Sequence, residues 1–96
     1  MNAQAANALY EAERRGVRQI RGRYYSGGGA CALGAIALML KMEPLALRAG
    51  VLSEEAMPCP LCGGNYEREG QVIAHLNDDH GLTFSEIARK LGPDHA

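Results

Sequence analysis

An α+β, mainly helical single domain over residues 1–96 is the fold this sequence predicts. Three observations carry that expectation. Apolar residues recur at helical spacing near both ends, an unbroken apolar run fills residues 30–40, and cysteines and histidines separated by glycine-rich turns gather in residues 57–81.

Residues 3–15 are rich in Ala, Leu and Glu, with Ala5, Leu9 and Ala12 on one face, so they predict a helix that Gly16 closes. Residues 17–25 contain Val17, Ile20 and paired tyrosines without clean alternation, which predicts a short strand or extended loop. Ser26-Gly27-Gly28-Gly29 then interrupts the chain. These glycines are not followed by the Lys-Ser/Thr of a phosphate-binding loop. Residues 30–41 are apolar nearly all round and predict a helix buried on most sides. Cys31 falls in its first turn; with no His or Asp close in sequence to activate it, a buried structural thiol is favoured over a nucleophile. Pro44 opens and Gly50 ends a short helix over residues 45–49. Thr83-Phe84-Ser85-Glu86 is a capping box, and Phe84, Ile87, Ala88 and Leu91 form the apolar stripe of a last helix stopped by Gly92-Pro93. His95 is expected to lie in a disordered terminus.

The most specific pattern is Cys59, Cys62, His75 and His80, spaced C-x2-C-x12-H-x4-H. Two thiolates and two neutral imidazoles supply four soft or borderline donors for a tetrahedron and neutralise a divalent cation, which suits Zn2+ and leaves no open position for a substrate. The surrounding residues fit. Pro60 and Gly63 make a tight knuckle of residues 59–64, Val72, Ile73 and Leu76 recur at helical spacing, and Gly81 stops the helix just past His80.

Net charge is -1, which gives no global case for nucleic-acid binding, yet the charge is uneven. Residues 1–48 carry +4 and residues 49–96 carry -5. Arg14, Arg15, Arg18, Arg21 and Arg23 lie close together, with Tyr24 beside them. Such a cluster tracks a phosphate backbone, grips an acidic protein surface, or is simply a solvated face. The first sixteen residues lack the apolar core of a secretory signal, and an odd number of cysteines fits a reducing compartment, so a cytoplasmic location is expected. The run at residues 30–40 would reach about 16 Å as a helix, against roughly 30 Å of bilayer hydrocarbon, which argues against a membrane span.

From Met57 to His80 the chain resembles the ββα two-Cys, two-His zinc finger family, matching it also at Met57, Tyr66 and Val72. In that family the helix enters the DNA major groove, and the resemblance would make Arg68, Gln71 and Ala74 the base-reading residues. The pattern departs from the family at Gly70, inside the helix, and at Gly81-Leu82-Thr83-Phe84, where a basic linker is usual; Glu67, Glu69, Asp78 and Asp79 border the surface that would face phosphates. Cys31-Ala32-Leu33-Gly34-Ala35 followed by His75-Leu76-Asn77-Asp78 also looks like small uncharacterised proteins of bacteriophages and their bacterial hosts. That resemblance implies a compact helical domain, located in the host cytoplasm if phage-encoded, and a capping or packing role for Asn77 and Asp78 independent of the metal.

Three functional classes follow. The first is a small regulatory adaptor in which zinc holds a platform for a protein partner or for nucleic acid. The second is a structural or assembly component, such as a virion or complex subunit, for which a homo-oligomer is compatible. An enzyme is disfavoured, since no acid/base pair, nucleophile constellation or open metal position is visible.

Overall fold

The computed structural model describes residues 1–92. The last four residues, and with them His95, lie outside that range.

Helix α1 (Ala3–Arg14) starts where Asn2 accepts a hydrogen bond from the Ala5 amide at 2.8 Å. Its small residues Ala5, Ala8 and Ala12 flank Leu9, all buried, so α2 (Ala32–Leu40) and α4 (Phe84–Leu91) both pack closely on this face. Helix α3 (Glu69–Asp78) packs on α2 and α4, burying Val72, Ile73 and Leu76 completely. The fold is thus α+β and mainly helical, with α2 touching both α1 and α3 at the centre. Each fully buried Leu, Ile or Phe here contributes about 1.5–3 kcal/mol of transfer free energy.

The last helix forms as the sequence predicts. Thr83 Oγ1 accepts from the Glu86 amide at 3.2 Å, Glu86 Oε1 accepts from the Thr83 amide at 2.8 Å, and Phe84, Ile87, Ala88 and Leu91 are buried. The Thr83 amide bond in particular holds the Glu86 carboxyl below its usual range. A carboxylate whose folded-state pKa is depressed stabilises the fold above its unfolded pKa, and that contribution disappears as the pH falls through the folded value. Thr83→Ala is expected to cost about 1 kcal/mol in chemical denaturation; an unchanged midpoint would show that tertiary packing alone fixes this helix start.

Residues 17–30 depart from expectation. They form a three-stranded sheet of two-residue strands, β1 (Arg18–Gln19), β2 (Tyr25–Ser26) and β3 (Gly29–Ala30), in the order β1-β3-β2. β3 runs parallel to β1 and antiparallel to β2, and Gly27-Gly28 make the hairpin turn. Ala30, expected within the helix, belongs to β3, where its carbonyl accepts the Ile20 amide at 3.0 Å. Because those backbone groups are taken by the sheet, α2 begins two residues later. Cys31 is therefore the N-cap, its Sγ accepting from the Gly34 amide at 3.5 Å. It is buried, and burial pushes its thiol pKa up against the hydrogen bonds from the Gly34 and Leu33 amides. Gly34 lets the hairpin lie directly on α2: a Cβ there would sit 2.2 Å from the Tyr24 carbonyl oxygen. The short helix is a 3-10 turn, Pro44–Arg48, one residue earlier than expected. No helix of the described residues is long and apolar enough to cross a membrane.

Candidate metal centre

Strands β4 (Met57–Pro58) and β5 (Asn65–Tyr66) pair antiparallel, Met57 opposite Tyr66, and α3 follows, giving the order ββα. The knuckle between the strands closes through the Cys59 amide to the Gly64 carbonyl at 2.7 Å and the Gly63 amide to the Cys59 carbonyl at 2.9 Å. Gly63 turns at φ 77, a left-handed conformation that a Cβ would penalise. This turn directs the Leu61 amide at Cys59 Sγ, 3.4 Å away. Burial raises the pKa of the Cys59 thiol, but hydrogen bonds from the Cys62 and Leu61 backbone and from the Cys62 side chain bring it below the usual range.

His75 stands in the last turn of α3, and His80 follows two residues after the helix ends, its amide reaching the His75 carbonyl at 3.3 Å. One ligand atom from each of Cys59, Cys62, His75 and His80 lies within 4.8 Å of the other three. His75 Nε2 and His80 Nε2 are 3.1 Å apart, Cys62 Sγ and His75 Nε2 3.4 Å, and Cys59 Sγ and His80 Nε2 3.7 Å. A tetrahedral ion with metal–nitrogen bonds of about 2.0–2.1 Å and metal–sulfur bonds of about 2.3 Å sets edges of roughly 3.3 Å for N···N and 3.6 Å for N···S. These three edges therefore lie within a few tenths of an ångström of tetrahedral values, and the four side chains are close enough together to bind a metal ion. All three cysteines are free thiols.

Asp79, which sequence reasoning treated only as surface charge, orients the site. Its Oδ2 lies 2.8 Å from His75 Nδ1. With Nδ1–H donating to this carboxylate, the Nε2 lone pair of a neutral His75 faces the other three ligands. The signal available in the sequence was an acid four residues after a helical histidine. The Tyr66 ring lies beside the His75 ring, centroids 4.9 Å apart. Asp79→Asn is expected to lower metal affinity about 10- to 100-fold, measured by competition with a chromophoric chelator; equal affinity would mean that packing alone orients His75.

Asn77 and Asp78 have the packing role expected of them. Buried Asn77 accepts from the Gln19 side chain at 2.8 Å and the Ala32 amide at 3.0 Å, and donates to the Ile20 carbonyl at 2.8 Å. Asp78 Oδ1 receives the Gly22 amide at 3.1 Å and Asn77 Nδ2 at 2.8 Å. These bonds tie α3, the helix that carries His75, to the sheet and to the start of α2. Glu69, expected at the surface, is instead buried, accepting the Ser53 amide at 3.1 Å and pairing with the Met1 amine at 2.9 Å.

The basic residues are held by different parts of the fold. Arg14 and Arg15 both bond Glu11 along α1, the latter at 2.6 Å. Arg18 donates to the carbonyls of Ser26 and Gly27, bracing the hairpin turn. The Arg21 guanidinium lies against Gly81, next to the ligand His80. Arg23 and Tyr24 line a cleft against α3, and Arg68 and Gln71 line a second beside it. Gln71 Oε1 also accepts the Glu67 amide, just before α3, at 2.9 Å. Comparison with protein-family models, curated proteins and solved structures finds no match to this chain.

Proposed function

We propose that the resident ion is Zn2+, that its role is structural, and that the chain is a small regulatory adaptor whose zinc-held α3 presents a binding platform to a partner protein or nucleic acid. The single observation that carries this reading is the convergence of two sulfurs and two imidazole nitrogens within 4.8 Å of one another, with three of their separations close to tetrahedral edges. An N2S2 tetrahedron favours zinc over harder cations, and four protein donors complete it, which supports a closed structural site rather than one that activates water. The second support is mechanical. The ion would join the β4–β5 knuckle to the C-terminal end of α3, whose other face packs on α2 and α4, so the metal sets how α3 sits on the helical core.

Cobalt substitution tests the closed site. The Co2+ protein should show the intense visible bands of a four-coordinate thiolate site, unchanged when azide is added. Bands that shift with azide would reveal an open coordination position and contradict the structural role.

A further inference from the structure

Two clefts of about 280 and 200 Å³ adjoin along α3 and share three wall residues, Tyr24, Leu33 and Ala74, so they form one trough. Its apolar rim is unusually open: Leu45 is 72% exposed and Tyr24 40%. Isolated exposed apolar side chains are ordinary, but here they border one depression together with Leu33 and Ala74. Gly70 and Ala74, one helical turn apart, keep the α3 wall low.

The charges are arranged at the two ends. Arg23 stands at one end, and Arg48 and Arg68 at the other. The carboxylate in the lining, Asp78, is engaged by the Gly22 amide and Asn77. Arg48 pairs with Glu54 at 2.9 Å and Arg68 approaches Glu67 at 3.9 Å, both at the surface, where an incoming carboxylate displaces such partners at little cost. Arg23 makes no ion pair among the described residues.

We infer that this trough docks a short acidic segment of a partner protein, with one large apolar anchor seated among Tyr24, Leu33, Leu45 and Ala74 and carboxylates reaching Arg23 on one side and Arg48 or Arg68 on the other. Charge complementarity selects the acidic flanks, and the aliphatic floor selects the anchor. A single-stranded nucleic acid fits this lining less well. It needs successive aromatic faces on which bases stack, whereas the trough offers one tyrosine. The inference rests on the zinc platform proposed above, because the α3 wall is the helix that carries His75.

The test is selection of a displayed random dodecapeptide library on the zinc-loaded full chain, followed by fluorescence anisotropy with labelled synthetic copies of the enriched peptides. Enriched sequences should place Asp or Glu on both sides of a Leu, Phe or Trp. Their Kd should rise about tenfold or more in Ala74→Trp, which fills the trough, and in Arg23→Glu, and stay the same in Arg89→Glu, at an exposed position of α4. Ala74→Trp should retain its zinc and melting temperature, so loss of peptide binding with metal in place is distinguished from failure of the metal centre. The inference is overturned by absence of enrichment, by basic enriched peptides, or by binding that survives both trough variants. It is equally overturned if a labelled oligonucleotide binds and Ala74→Trp abolishes that, or if Ala74→Trp breaks a dimer of the chain itself.

Discussion

Cys62→Ser is expected to purify with almost no zinc and to melt far below the unaltered protein. Serine at this position replaces a thiolate by a neutral hydroxyl, which leaves three ligands and an ion with unbalanced charge. Structural zinc sites contribute apparent binding free energies of about 10–16 kcal/mol in isolated finger peptides, and that binding is coupled directly to folding. Here a helical core supports part of the fold without metal, so a smaller fraction is lost. Losing even ~3 kcal/mol would lower the melting temperature by roughly 12 °C or more for a domain of this size. Metal analysis after gel filtration and a thermal melt read the two effects together. A variant that keeps one zinc per chain and its melting temperature removes Cys62 from the ligand set.

The second large effect is expected at Asn77, and it should have the opposite metal signature. Asn77→Ala leaves the Ala32 amide and the Ile20 carbonyl without partners in the interior, and removes one of the two acceptors of the Gln19 side-chain amide, which keeps the Leu82 carbonyl. Each buried group so orphaned costs about 1–3 kcal/mol, and the combined loss should reach roughly 3 kcal/mol. The metal ligands lie on the other side of α3 and remain in place, so the variant should bind one zinc per chain while its denaturation midpoint falls sharply. If Asn77→Ala loses zinc as completely as Cys62→Ser, the two networks are one cooperative unit and the independence assigned to Asn77 is wrong.

The Cys2His2 cluster was legible in the sequence because coordination chemistry fixes both the residue types and their spacing. Cys59, Cys62, His75 and His80 meet as their pattern requires. The last helix was legible for a similar reason, since the Thr83–Glu86 box and the stripe from Phe84 to Leu91 state the same start and the same buried face. The hairpin at residues 25–30 is not legible in this way. Strands two residues long carry no alternation, and the Gly27-Gly28 pair reads equally as a simple break. The start of α2 is hidden for the same reason, because apolarity continues from Ala30 into the helix while the backbone hydrogen bonds do not. Likewise, no local pattern reveals that Asn77 serves two separated segments, Gln19-Ile20 and the start of α2, or that Glu69 is buried; both follow from tertiary contacts distant in sequence.

X-ray absorption at the zinc edge of the purified full chain tests the central claim most directly. The account predicts a fit to two sulfurs at about 2.3 Å and two imidazole nitrogens at about 2.0–2.1 Å, with no water oxygen in the shell. A shell lacking sulfur, or one containing a solvent oxygen in place of a histidine, would contradict it.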